Sequence, residues 1–119
     1  MNYTENYERW LHEPKLDADS RRDLEAIAGD HDEIEMRFLG NLEFGTGGLR
    51  GTMGAGLNKM NVYTVAQATQ GMAEMIALEG ADAMRRGVVI AYDSRNNSAL
   101  FSETAAAVLS AHGLTVYIF

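Results

Sequence analysis

The sequence predicts an α/β fold with a mainly parallel sheet, preceded by a short helical N-terminal segment. Three observations predict it. Residues 87–92, Gly87-Val88-Val89-Ile90-Ala91-Tyr92, form a continuous apolar run, the pattern of a strand covered on both faces. An amphipathic stretch follows, and then a second apolar run, Leu114-Thr115-Val116-Tyr117-Ile118-Phe119. Strand, helix and strand in that order make a βαβ unit, which crosses over right-handed with parallel strands. Composition also shifts near Leu39: residues 1–39 hold the only proline and the only tryptophan, whereas residues 40–119 hold eleven of the twelve glycines. A boundary there separates a helical lead-in, 1–40, from an α/β body, 41–119.

The elements follow in order. Tyr3, Tyr7, Trp10 and Leu11 recur at helical spacing, and Pro14 stops that helix. Asp17 or Asp19 caps a second helix in which Leu24 and Ile27 share a face, with Gly29 at its end. Asp30 caps a third, which turns Ile34, Phe38 and Leu39 inward and ends at Gly40. Residues 42–52 read as an extended segment interrupted by a loop, part of it joining the main sheet. Asn61 caps a long helix with Val62, Val65, Ala66, Thr69, Met72, Ala73 and Ile76 on one stripe, stopped by Gly80. The helix of the βαβ unit spans about residues 98–112, with Phe101, Ala105, Val108 and Leu109 on its stripe and Gly113 after its end.

Composition excludes several functions. The chain has 119 residues, 17 acidic and 10 basic, for a net charge of −7. Its basic residues are scattered, which argues against a nucleic-acid partner, since phosphate backbones demand clustered Lys and Arg. The apolar run 88–92 falls far short of the ~20 residues of a membrane span. The N-terminus has no apolar signal region, and there are no cysteines for disulfides, thiolate catalysis or Cys-based zinc. The chain therefore reads as cytoplasmic.

Two segments carry residues suited to chemistry. In Phe44-Gly45-Thr46-Gly47-Gly48-Leu49-Arg50-Gly51, four glycines let the backbone turn tightly and bring its N–H groups close to an anion. Arg50 adds a permanent charge with a planar fork that matches phosphate oxygens. The segment is neither GxGxxG, because Arg50 stands where the third glycine belongs, nor a Walker A loop. On spacing alone, a glycine-rich turn with a solvated arginine fits it as well. Tyr92-Asp93-Ser94-Arg95 directly follows the first apolar strand, where open α/β sheets bind ligands; Asp93 and Ser94 could equally begin the turn into the next helix. Asp30-His31-Asp32-Glu33 imitates a metal cluster, but at a helix start it reads as capping. His12 and His112 lie near helical stripes without a spaced carboxylate.

Taken in order, the glycine-rich segment, Met53-Gly54-Ala55-Gly56, Asn58-Lys59-Met60-Asn61 and Val88-Val89-Ile90-Ala91-Tyr92-Asp93-Ser94-Arg95 resemble the first domain of the α-D-phosphohexomutases. The bacterial phosphoglucomutase/phosphomannomutase branch is the most similar, over about residues 42–119. The resemblance implies an incomplete domain 1 of three-layer α/β/α build with a mixed, mainly parallel sheet. It implies a parent enzyme that moves a phosphoryl group between C1 and C6 of a hexose phosphate, through a phosphoserine, a bisphosphorylated intermediate and Mg²⁺, with a glucose 1,6-bisphosphate-type activator. Thr46, Arg50 and Arg95 fall on its substrate-binding positions, with Gly45, Gly47, Gly48 and Gly51 shaping the loop.

The sequence departs from that family in what it lacks. It has no Ser-His pair, no Asp-Gly-Asp metal loop and no Glu-x-Ser sugar-selecting loop. No catalytic residue and no Mg²⁺ ligand is therefore assigned to it. The chain reads as an N-terminal fragment, inactive alone, whose partners are a hexose phosphate and the remaining domains of its parent. An uncovered final strand predicts that the fragment dimerises or swaps elements. The competing reading is a non-catalytic phosphate- or nucleotide-binding α/β module.

Overall fold

A computed structural model describes residues 2–42, 44–45, 48–49, 51–92 and 97–118. It divides into two compact units, residues 1–61 and 62–119.

The first unit begins with three short helices, α1 (Tyr3–Leu11), α2 (Ala18–Ala26) and α3 (His31–Phe38). Each has a side-chain cap: Asn2, Asp17 and Asp30 accept from the amides of Glu5, Ser20 and Glu33. Asp17 is thus the cap of α2, and Asp30 does the capping work expected of the acidic cluster. Gly29, at φ +87, lets the chain leave α2. The helices close around Phe38 and Leu24, both fully buried. Tyr7 and Trp10 meet Phe38 edge-on, each with ring centroids 5.7 Å apart. The Tyr7 hydroxyl donates to the Leu24 carbonyl at 2.8 Å, and burial, then Glu8 and Glu25, push its pKa up. Leu39 departs from expectation. It is 67% exposed, because α3 ends at Phe38 and the chain turns away there.

After the helices come β1 (Phe44–Gly45) and β2 (Gly48–Leu49), which pair antiparallel with each other. Among the described residues they do not join the main sheet. Of the segment 42–52, expected to add a strand to the main sheet, the described residues form a short local ribbon, which glycines at both positions of the Gly45–Gly48 pair favour.

The second unit holds α4 (Val62–Leu78), α5 (Ala81–Arg86), β3 (Val88–Ile90), α6 (Ser98–Ala111) and β4 (Val116–Ile118). The βαβ unit is present: β3 and β4 run parallel, with Val88, Val89 and Ile90 opposite Val116, Tyr117 and Ile118. Its core is Ala73 of α4, Leu109 of α6 and Leu114, with Ile76, Met84, Val88, Ile90 and Val116 packed around them. Gly113 follows α6 at φ +84, as the C-terminal signal predicts.

Two expectations fail here, and one element is new. The apolar strands are covered on one face only: Val89 and Tyr117 are 59% and 55% exposed. Period-two alternation sends these two to the side opposite the packed core, and an unbroken apolar run cannot reveal which side is covered. Met72, placed on the buried stripe of α4, is half exposed, and Thr64, left off that stripe, is buried, whereas Thr69 and Ala73 are buried as the stripe predicts. Thr69 satisfies its hydroxyl by donating to the Val65 carbonyl at 2.7 Å. The short helix α5 was not foreseen, because its sequence, Ala-Asp-Ala-Met-Arg-Arg, carries almost no apolar period. No helix among the described residues is long and apolar enough to cross a membrane.

Candidate functional site

The glycine-rich segment is anchored at both ends by residues 52–61. At its start, the Leu42 amide donates to the Leu57 carbonyl at 3.0 Å. At its end, the Thr52 carbonyl accepts from the Met60 amide at 2.8 Å, and the Thr52 hydroxyl accepts from Lys59 Nζ at 2.8 Å. Gly51 stands against the first anchor, where a β-carbon would lie 2.7 Å from Leu42 Cδ1. Between these anchors Phe44 pairs with Leu49 and Gly45 with Gly48.

The turn at 52–61 is itself fixed from inside. Asn61 is buried, and its amide nitrogen donates to the carbonyls of Gly54 and Gly56 at 2.9 and 3.0 Å. From α2, Asp23 Oδ2 accepts from the Ala55 amide at 2.9 Å. From α3, Arg37 donates to the Ala55 carbonyl at 3.1 Å, to Asp23 Oδ2 at 2.9 Å and to Glu33 Oε1 at 2.9 Å. The backbones also meet directly, since the Asn58 amide donates to the Arg37 carbonyl at 2.9 Å. Gly56 makes that approach feasible: at φ +131, any β-carbon would sit 3.0 Å from Arg37 Cβ and 3.2 Å from its carbonyl oxygen.

Burial alone would raise the Asp23 pKa, but the Ala55 amide, Arg37 and Lys59 outweigh it and hold Asp23 below its ordinary 3.8. Arg37 is desolvated too, yet Asp23 and Glu33 keep it firmly charged. A carboxylate with a lowered folded pKa stabilises the fold above its unfolded pKa and ceases to do so as pH falls through the folded value. The Tm difference between wild type and Asp23→Asn should therefore be full at neutral pH and shrink as pH falls below the ordinary carboxylate range, where Asp23 takes up its proton. Thermal melts followed by Trp10 fluorescence check this; a difference independent of pH would contradict it.

Of the residues the sequence singles out, Gly45 and Gly48 form the paired ribbon and Gly51 backs onto Leu42. Thr46, Gly47, Arg50, Asp93, Ser94 and Arg95 lie outside the described residues. Arg21, Arg22, Arg37, Arg85 and Arg86 are all engaged internally, with carbonyl or carboxylate oxygens. His12, read as lacking a carboxylate, has Glu8 at 3.0 Å one helical turn back. Asp23, Arg37 and the internal role of Asn61 were missed. The one signal was Gly54-Ala55-Gly56, a pair of glycines that marks close approach of another backbone without naming the partner.

A family model described as phosphoglucomutase/phosphomannomutase, alpha/beta/alpha domain I, matches residues 41–119. The chain belongs to this family, as its N-terminal domain I. A mouse phosphopentomutase is 37% identical over 122 residues, covering 98% of this chain and 19% of the relative. A Mycoplasma genitalium phosphomannomutase is 32% identical over 115 residues, covering 94% of the chain and 20% of the relative. A mouse glucose 1,6-bisphosphate synthase is 35% identical over 119 residues, covering 93% and 18%. The chain thus spans about a fifth of the length of the curated relatives it matches. No solved structure gives a significant match. The domain I match starts at residue 41, so α1–α3 precede it, whereas the phosphopentomutase match takes in nearly the whole chain.

Proposed function

We propose that this chain is the N-terminal part of a phosphosugar mutase and supplies one wall of its substrate cleft. Membership of the phosphoglucomutase/phosphomannomutase family, with the glycine-rich segment inside the matched residues, carries the reading. The parent enzyme interconverts hexose 1-phosphate and hexose 6-phosphate through a phosphoserine and a bisphosphorylated intermediate. Phosphoryl transfer needs mostly positioning and charge stabilisation, which glycine N–H groups and arginine forks supply. Thr46, Arg50 and Arg95 bind the phosphosugar, and Gly45, Gly47, Gly48 and Gly51 let the backbone approach it. The body completes a three-layer α/β/α domain in the parent, which works in the cytoplasm. Among the described residues no group of three His, Asp or Glu side chains could hold a metal. On this reading the Mg²⁺ ligands, whose Asp-Gly-Asp loop is absent from the sequence, belong to other parts of the parent, as does the response to glucose 1,6-bisphosphate. The exposed β3–β4 face and β4 edge suit those other domains, or a second copy when the chain is alone.

A pentose phosphate is the second reading of the substrate, favoured by a relative named phosphopentomutase. The 119-residue chain should show no turnover of glucose 1-phosphate, even with glucose 1,6-bisphosphate and Mg²⁺, because it lacks the Ser-His pair of the nucleophile loop. The protein read from the gene beyond codon 119 should contain a Ser-His-Asn-Pro segment. It should turn over glucose 1-phosphate, mannose 1-phosphate or ribose 1-phosphate in a coupled assay. Turnover by the short chain would place chemistry in residues assigned to binding; a parent inert towards all three sugars would favour the non-catalytic binding module.

A further inference from the structure

We propose that the Asp23–Arg37 pair is a positioning device for the glycine-rich loop, through which helices α2 and α3 set the ends of residues 42–52. The proposal rests on the reading that this loop binds a phosphosugar. The connection is continuous. Asp23 and Arg37 hold both the amide and the carbonyl of Ala55, which is 2% exposed. The same turn receives Leu42 at the loop's entry, through Leu57, and Thr52 at its exit, through Met60. A peptide group gripped on its N–H and C=O by one ion pair can neither rotate nor shift without breaking charge-assisted bonds. The pair is only partly accessible, with Arg37 at 11% and Asp23 at 35% side-chain exposure. Water therefore replaces these bonds poorly.

Binding a small anion by backbone N–H groups demands that those groups already point inward, since ordering them on binding costs affinity. Glycines are the residues least able to hold such an arrangement alone. The ends of the loop are tied to a turn clamped by helices that precede the matched domain, which adds to the short β1–β2 pairing between them. That gives the helical lead-in a part in ligand binding without any contact with ligand.

Asp23→Ala removes the clamp while raising helix propensity in α2, so the helices themselves should persist. Asp23→Asn keeps an acceptor for the Ala55 amide but loses the charge facing Arg37, and should restore part of the effect. The 119-residue chain and both variants are compared by amide hydrogen exchange and by calorimetric titration with glucose 1,6-bisphosphate. In Asp23→Ala, the Leu42 and Met60 amides should exchange about tenfold faster, while amides within α1 and α3 keep their rates. Bisphosphate affinity should fall about fivefold or more, with Asp23→Asn intermediate. Unchanged exchange at Leu42 and Met60 would overturn the proposal whatever the ligand does, and so would equal acceleration throughout α1–α3, which marks general destabilisation. If the wild-type chain fails to bind the bisphosphate while exchange responds as expected, the phosphosugar reading fails and the clamp stands as a loop anchor only.

Discussion

Arg50→Ala should lower kcat/KM for the phosphosugar by more than about tenfold in a mutase carrying this segment, with little change in Tm. The residue sits in a glycine-rich segment, with Leu49 and Gly51 as its chain neighbours, so little packing is expected to depend on its stem. Its charge, in contrast, would meet phosphate in a cleft poor in water, where one charge-assisted contact contributes ~1.5–3 kcal/mol. Arg50→Lys should recover only part of the loss, because an ammonium cannot reproduce the two-pronged guanidinium contact. Kinetics and melting measured on the same variant separate binding from scaffolding. Unchanged kinetics with a lowered Tm would remove Arg50 from the site.

Gly87→Ala should produce the largest loss of stability in the second unit, about 3 kcal/mol or more. Gly87 lies at φ +85 and ψ −168, a region that side chains essentially never enter. A β-carbon there would stand 2.3 Å from the Thr115 carbonyl oxygen, which accepts the Val88 amide at 2.8 Å. Relieving the clash breaks that bond at the point where β3 begins to pair with β4. Gly71 is the internal control. It lies in mid-helix in α4, and nothing is within 4 Å of its would-be β-carbon. Gly71→Ala should stabilise by about 0.5–1 kcal/mol, so the same substitution at two glycines should move Tm in opposite directions. Thermal melts of both variants check it.

Much of this architecture was legible in local chemistry. Asp17 and Asp30 cap their helices because a carboxylate before an amphipathic stretch satisfies amides that the helix leaves open. The parallel β3–α6–β4 unit follows from two apolar runs separated by a helix too long for a hairpin. What sequence pattern could not reach is whatever depends on partners distant along the chain. Asp23 and Arg37 are fourteen residues apart and meet on Ala55, eighteen residues further on, with no periodicity to announce it. The exposure of Val89 and Tyr117 is of the same kind: composition shows that a strand is apolar, but coverage depends on which elements pack against it. At the site, the glycines could be assigned to a loop from their spacing. Their anchoring through Leu57 and Met60 could not.

The binding role of the glycine-rich loop is tested most directly by titrating the isotopically labelled 119-residue chain with glucose 1,6-bisphosphate and following its backbone amides. The glycines make this well suited to NMR, because their amides resonate apart from most others. Saturable shifts should appear at Gly45, Gly48 and Gly51 and at the residues between them, and should weaken in Arg50→Ala. Amides in α1 and α6 should stay still. Shifts absent at saturating bisphosphate, or confined to residues outside 42–52 and 92–97, would contradict a phosphosugar-binding role for this loop.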